Sequence, residues 1–157
     1  MEPLEVIESQ DYLWLVELSE PSPNELTITV SPILNGETMV ETPSSGVPSN
    51  LSGRIRTLEE SIQIDISFDF YFFYRVYNEM YCIPHKNAKY EGRWFRTYKE
   101  SEFIVKVDRN GNTIKEKDLN QHYQIGCMNH VIDIVSWSPP EFSFRANSHI
   151  IATREIL

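Results

Sequence analysis

The stretch Ile62–Val76 decides the fold, and it reads Ile-Gln-Ile-Asp-Ile-Ser-Phe-Asp-Phe-Tyr-Phe-Phe-Tyr-Arg-Val. Every even position carries an apolar or aromatic side chain, a period-two pattern that is typical of a β-strand. At about 3.3 Å per residue the stretch would span roughly 50 Å, which is far longer than a common strand. We therefore expect it to bend, coil or break into two segments. Tyr71 and Phe73 make both faces aromatic near its end, which favours a central strand that is covered on both sides there.

Shorter β-rich stretches lie on both sides of this ribbon. The turn residues 19–24 separate two of them, and Met128-Asn129-His130 separates two more, so we predict two hairpins. Pro139-Pro140 ends the strand before it. The predicted strands are Tyr12–Leu18, Glu25–Val30, Gly92–Tyr98, Gln121–Cys127 and Val131–Trp137, with short edge strands at Phe142–Phe144 and His149–Ala152.

Two segments are harder to interpret. Residues Glu100–Val107 fit either a short helix or a strand that runs into a hairpin turn. Residues 34–53 are rich in Gly, Pro, Ser and Thr and predict a mobile loop. We expect a single domain over residues 1–157, of α+β type but mainly β. Its sheet is either strongly curved and antiparallel or a small barrel-like sandwich, with one short helix.

Charge is distributed unevenly along the chain. Residues 1–53 contain nine carboxylates and no Lys, Arg or His, whereas residues 54–157 contain fourteen acidic residues and fourteen Lys and Arg. The net charge of −9 therefore comes from the first third. A surface of this sign repels nucleic acid and anionic lipid and attracts a basic protein. A solvated acidic rim that only keeps the protein soluble is the alternative.

The compartment is predicted from the N-terminus and the cysteines. The first residues have no positive region followed by an apolar one, and no stretch approaches about 18 apolar residues, so we predict a cytoplasmic protein without a membrane span. In that compartment Cys82 and Cys127 are expected to stay reduced.

The two cysteines each precede a histidine by three positions. Cys82 and His85, with Cys127 and His130, form two pairs of the ligand types that tetrahedral zinc prefers. The 41 residues between the pairs and the lack of a Cys-rich surrounding favour packing and hydrogen bonding instead. We therefore predict no metal and no cofactor. The sequence contains no recognisable catalytic motif, and we predict that the protein is not an enzyme.

Three segments together resemble a family of small uncharacterised bacterial proteins. They are Tyr74–Tyr81, Tyr90–Phe103 and His122–Ser136, and the likeness covers roughly residues 60–142. The family is similar in its small, acidic character to immunity or conflict-system proteins, which implies a role of that kind. The resemblance also implies a helix at Lys99–Val107.

The polar residues that match this family are candidates for a functional cluster. Their alternative role is to pair with each other and hold a curved sheet. They are Arg75, Asn78, Glu79, Arg96, His122, Asn129, His130 and Asp133.

These observations favour an interaction protein of immunity or inhibitor type. Its partner would be a basic protein such as a toxin or defence effector, bound through the acidic first third with exposed aromatic anchors. The alternative is a small-molecule-binding β-barrel or sandwich with an aromatic cavity lined by Phe68, Phe70, Phe72 and Tyr74. The oligomeric state is left open. The candidate partner-binding residues are Glu5, Glu8, Asp11, Tyr12, Trp14 and Glu17.

Overall fold

The chain folds into two antiparallel sheets that pack face to face, which confirms the mainly β expectation. The computed structural model describes residues 1–33, 37–40, 54–57, 61–82, 88–101, 103 and 121–146, with the backbone alone for 37–40 and 54–57. Its helix is α1 (Pro3–Ser9), and its strands are β1 (Tyr12–Ser19), β2 (Leu26–Ile33), β3 (Glu37–Val40), β4 (Arg54–Thr57), β5 (Ile64–Phe68), β6 (Tyr71–Tyr77), β7 (Lys89–Glu91), β8 (Phe95–Glu100), β9 (Gln121–Gly126), β10 (Val131–Ser136) and β11 (Glu141–Phe144).

The two sheets differ in strand order. The first sheet has the order β1-β2-β5-β11, and the second sheet has the order β6-β10-β9-β8-β7. A separate parallel pair joins β3 to β4, so part of the segment predicted as a loop is a strand. No helix in the described part of the chain is long and apolar enough to cross a membrane.

The long ribbon breaks at Asp69 and Phe70, which is one of the three outcomes that its length predicts. Its first half is β5 in the first sheet, and its second half is β6 in the second sheet. The Ser136 hydroxyl and the Trp137 backbone N–H both donate to the Phe70 carbonyl, at 2.7 and 3.0 Å. Among the described strands β6 lies at the edge of its sheet, so the prediction of a central strand at Tyr71 and Phe73 is wrong for the described part of the chain.

Both predicted hairpins are present. The β1–β2 turn contains Asn24 with a left-handed φ of 66°, and the Glu25 N–H donates to the Ser22 carbonyl at 3.0 Å. Asn tolerates this conformation better than most residues. In the β9–β10 turn the Cys127 N–H donates to the His130 carbonyl at 2.8 Å. Strand β11 pairs with β5, so Phe142–Phe144 is also a strand, as expected.

The core lies between the two sheets and follows the period-two pattern. Alternate residues of each central strand point inward, including Ile64 and Ile66 on β5 and Ile132 and Ile134 on β10, all fully buried. Phe68 contacts Tyr123 across this core, with ring centroids 5.5 Å apart. Burial of such side chains stabilises the fold by about 1.5–3 kcal/mol each.

Helix α1 was not predicted from the sequence. Pro3 starts it, the Glu5 carboxylate accepts a hydrogen bond from the Glu2 N–H at 3.0 Å, and Ile7 enters the core with no exposed surface. Pro in the first turn and a carboxylate that reaches back to the cap are helix-start signals. They were missed because seven residues are too few to show a helical period.

The segment Glu100–Val107 is only partly described. Glu100 belongs to β8, and Phe103 has a helical backbone. Residues 102 and 104–107 lie outside the described residues, as do His149–Ala152.

Candidate functional site

The outer face of the second sheet carries a cluster of polar residues on neighbouring strands. Asp133 on β10 lies directly opposite Arg75 on β6 and Gln124 on β9. Arg96 on β8 lies opposite Gln124 in turn. Because opposite residues in an antiparallel sheet share a face, the register brings these side chains together on the side away from the core.

Asp133 is the centre of this group, which we call the Asp133 cluster: Arg75, Tyr77, Arg96, Tyr98, Ser101, His122, Gln124 and Asp133. One carboxylate oxygen of Asp133 lies 3.0 Å from His122 Nε2 and accepts from Gln124 Nε2 at 2.8 Å. The other accepts from Arg75 Nε at 2.7 Å and from the Tyr77 hydroxyl at 3.1 Å. The Asp133 side chain is fully buried, so each bond compensates for lost hydration.

The pKa of Asp133 results from two opposing effects. Burial alone would raise it, but hydrogen bonds from His122, Gln124 and Arg75 to the charged form outweigh burial and lower the pKa to about 2. Burial and the Asp133 charge raise the pKa of the neighbouring Tyr77. Asp133 is therefore ionised and Tyr77 neutral at neutral pH.

His122 connects Asp133 to Ser101. Its Nδ1 lies 2.7 Å from the Ser101 hydroxyl, and its ring stacks on Tyr98 with centroids 4.3 Å apart. An ionised Asp133 only accepts, so the Nε2 of His122 carries the proton and donates to it.

A serine, a histidine and an aspartate that contact one another in this order suggest a hydrolase, but their geometry does not favour one. In a catalytic triad the carboxylate faces Nδ1 and the nucleophile faces Nε2, and here the two are exchanged. The Ser101 hydroxyl also accepts from the Phe103 N–H at 3.1 Å. Since His122 and Asp133 have no exposed surface, a substrate cannot reach the imidazole. The arrangement is suited to holding four strands together.

Four of the eight predicted polar residues belong to this cluster, and four do not. Asn78 accepts from the Met80 N–H at 2.9 Å, beside Glu79 in a 3-10 turn. Asn129 lies across the molecule, where its side chain bonds both the N–H and the carbonyl of Leu15 on β1. His130 Nδ1 is buried and has no hydrogen-bond partner among the described residues.

Sequence reasoning missed the other members of the cluster: Tyr77, Tyr98, Ser101 and Gln124. Gln124 bonds the Tyr98 hydroxyl at 3.0 Å and Arg96 Nη1 at 3.1 Å through the same oxygen. The available signal was a spacing of two residues, which places side chains on the same face of a strand. Gln124 lies two positions from His122, and Tyr98 lies two positions from Arg96. This signal becomes usable only once the strand register is known.

The proposed zinc ligands occupy different surroundings. Cys127 is fully buried in the core, where burial raises the pKa of its thiol. Cys82 is half-buried, with its sulfur 3.8 Å from the Tyr77 hydroxyl. His85 lies outside the described residues. Among those described, no three His, Cys, Asp or Glu side chains converge in a way that could hold a metal ion.

Several acidic residues of the predicted interface have structural contacts. Glu8 accepts from the N–H groups of Arg93, Trp94 and Phe95 at 2.6, 3.2 and 2.9 Å. Gly92 permits this tight turn with φ +90°, and a Cβ there would lie 1.9 Å from the Phe95 carbonyl oxygen.

The remaining interface candidates lie on or near α1 and β1. Glu17 forms an ion pair with Arg145 at 2.7 Å, and Tyr12 contacts the Trp94 ring at 6.0 Å between centroids. Trp14 is half-buried on β1. Glu5 is exposed at the start of α1, and Asp11 is exposed just before β1. Of these candidates, the structure assigns Glu5, Glu8 and Glu17 to intramolecular bonds.

Charge separates by sheet rather than only by sequence. Among the described residues, the first sheet with α1 and adjoining segments (1–33, 61–70 and 137–146) carries ten carboxylates and one cation, Arg145. The second sheet and its connections (71–82, 88–101, 103 and 121–136) carry four carboxylates and five cations. The excess is therefore nine negative charges on one side and one positive charge on the other. Asp65, Asp69 and Glu141 join the acidic side although they lie beyond the first third.

The rings of the predicted aromatic cavity lie in different surroundings. Phe68 packs in the core, Phe70 is 53% exposed, and Phe72 stacks on Trp137 with centroids 5.9 Å apart. The Tyr74 hydroxyl donates to Glu20 at 2.8 Å. Tyr74 also packs against the core that contains Phe68, so the four rings are divided between the core and the surface.

The comparisons with known proteins were negative. No protein-family model matches the chain, and neither a curated protein nor a solved structure shows significant similarity to it. The resemblance to a bacterial family therefore stays a prediction.

Proposed function

We propose that this protein binds a basic protein in the cytoplasm and acts as an inhibitor or immunity protein. The separation of charge between the two sheets carries the proposal, since nine excess carboxylates lie on the first-sheet side. A one-signed surface accelerates encounter with a partner of opposite charge and selects against partners of the same charge. A toxin or defence effector with a cationic site fits this description.

Most of this charge is available for long-range attraction. Glu8 and Glu20 bond to neutral groups, namely backbone N–H groups and the Tyr74 hydroxyl, so their charge is retained. Arg145 neutralises part of the acidic charge through its ion pairs with Glu17 and Asp65. Tyr12, which is 38% exposed and contacts the Trp94 ring next to Glu8, supplies an aromatic contact of the kind that concentrates binding energy.

The test compares two variants with the same change in charge. One replaces Glu25, Asp69 and Glu141 on the first-sheet side with Gln, Asn and Gln, since the described contacts give these side chains no ion pair. The control of equal charge replaces Glu79, Glu91 and Glu100 on the second-sheet side with Gln; Glu91 and Glu100 form exposed ion pairs with Lys99 and Lys89, which this change also removes. Deleting residues 1–53 would not serve, because it would remove α1, β1 and β2 and with them half of the first sheet.

Each protein is used to capture partners from cell lysate, the captured proteins are identified, and the association rate of the main partner is measured at low and high salt. We expect a basic partner whose association slows in the first-sheet variant and with added salt, while the control associates like the wild type. A partner that is not basic, or one whose rate is the same at both salt concentrations and in both variants, would refute the proposal.

A further inference from the structure

The outer edge of β6 carries a dense run of exposed apolar side chains. Of the thirteen large hydrophobic residues exposed in the described part of the chain, five fall between residues 70 and 81, and Trp137 stacks on Phe72 beside them. A concentration of exposed apolar residues in one segment often marks an interaction site. The five are Phe70, Phe73, Val76, Met80 and Tyr81.

Within the described part of the chain, the same edge lacks the usual protection of an edge strand. Strand β6 pairs with β10 on one side, and no described strand pairs with its other side. It contains no Lys and no Pro, which commonly prevent edge-to-edge pairing. Its one charged residue, Arg75, is bound to Asp133. At the edge of the first sheet, by contrast, β1 is already bonded by Met128 and Asn129.

We propose that β6 pairs antiparallel with the β6 of a second copy of this chain, around a two-fold axis at Tyr74. Opposite residues share a face in such a pairing, so Phe73 meets Arg75 of the second copy, and Phe72 meets Val76. The Arg75 guanidinium already lies over two aromatic rings, Phe103 at 4.4 Å and Tyr77 at 5.0 Å. A Phe73 ring from the second copy extends this cation–π arrangement. An axis at Arg75 would instead place two guanidinium groups opposite each other.

The charge distribution permits this dimer. A chain of net charge −9 repels its copy, but among the described residues the acidic excess lies on the first-sheet side. Pairing through β6 joins the two second sheets, which are nearly neutral, and leaves most of the acidic side of each copy outside the interface; Glu20, which bonds the Tyr74 hydroxyl, is the carboxylate that lies near the axis. The proposal is independent of the proposed function, because a β6 dimer requires no basic partner.

Sedimentation of the full chain tests the pairing. We expect a species of twice the 18.4 kDa chain mass that dissociates on dilution. Val76→Lys and Phe73→Lys each introduce a charge at the edge and should abolish the dimer. Phe73→Ala removes two symmetric cation–π contacts, together with the contact between Phe73 and Phe103 of the same chain, and should weaken the dimer about tenfold. Phe144→Lys is the matched control, because Phe144 is similarly exposed on β11 at the edge of the first sheet, and it should leave the dimer intact.

Hydrogen exchange of the wild-type chain gives a second readout that needs no variant. The backbone N–H groups of Phe73–Tyr77 should exchange more slowly in concentrated than in dilute samples. The proposal is overturned if the wild type sediments as a monomer throughout, or if exchange at β6 is independent of concentration. It is equally overturned if Val76→Lys and Phe73→Lys, shown to be folded by near-ultraviolet circular dichroism, remain dimeric.

Discussion

The imidazole of His122 lies 3.0 Å from the carboxylate of Asp133, and neither side chain has any solvent-exposed surface. The two residues lie on adjacent strands, β9 and β10, at the centre of the second sheet. An ion buried in this way is stable only when its partners are all in place. The Asp133 cluster is therefore expected to behave as one unit.

Replacing Asp133 with Asn should destabilise the protein by about 3–5 kcal/mol. The change removes the negative charge opposite Arg75 and disturbs the bonds to His122 and Gln124. Urea unfolding measures the effect. Asp69→Asn is the control, since Asp69 is exposed, and it should change the free energy of unfolding by less than about 0.5 kcal/mol. Equal losses in the two variants would contradict this role of Asp133.

The stability of the protein should decrease in acid because of Asp133. Its folded-state pKa of about 2 lies below the ordinary value of 3.8, so the stabilisation is present above about pH 4 and is lost as the pH falls toward 2. The loss from this residue should be about 2 kcal/mol. The free energy of unfolding, measured from about pH 5 downward, should fall less steeply in Asp133→Asn than in the wild type. Parallel curves would show that other carboxylates account for the whole effect.

Replacing Glu8 with Ala should destabilise the N-terminal region by about 2–3 kcal/mol, because three backbone N–H groups lose their acceptor. Glu8→Gln keeps an acceptor oxygen and should retain part of this stability. Glu5→Ala, which removes only the single hydrogen bond from the Glu2 N–H at an exposed position of the same helix, is the comparison. Thermal unfolding followed by tryptophan fluorescence reports the change, since Trp94 lies at the contact. The prediction fails if Glu8→Ala is no less stable than Glu5→Ala.

Replacing Asn129 with Ala should cost about 1–2 kcal/mol. The Asn129 side chain bonds the N–H and the carbonyl of Leu15 like a short strand, so its loss leaves both groups unpaired at the edge of β1. Asn129→Asp keeps the acceptor but not the donor, so the free energy of unfolding should fall by an intermediate amount. Met128→Ala is the control, as Met128 is 51% exposed in the same turn. Chemical unfolding should rank the stabilities as Met128→Ala, Asn129→Asp, Asn129→Ala, from highest to lowest.

Hydrophobic periodicity predicted the strands well where the two faces of a strand clearly differed in polarity. Ile64, Ile66 and Phe68 alternate with polar residues, and these three side chains are buried in the structure. It was less informative at Tyr71–Tyr77, where aromatic residues occupy both faces and conceal the change from one sheet to the other. Helix α1 was missed because its seven residues are shorter than two full turns.

The candidate site was predicted only in part for a similar reason. Arg75, Arg96, His122 and Asp133 were identified as polar residues in strands, but Gln124 and Tyr98 became visible only through the register. Asn129 and His130 are neighbours of the same hairpin in sequence, yet the turn directs Asn129 toward β1. Which polar groups meet depends on how the strands pair. The residue pattern of a single strand carries no information about its partner strand or its register.

By itself, the sequence determined the mainly β class, the two hairpins, the break in the ribbon and the acidic excess, because each follows from local spacing or composition. The tertiary structure alone decided that β5 and β6 belong to different sheets and that Asp133 gathers partners from β6 and β9. It also placed Asp65, Asp69 and Glu141 on the acidic side with residues 1–33. These outcomes depend on contacts between residues far apart in the chain, and the free energy that selects them comes from burial and pairing of whole strands.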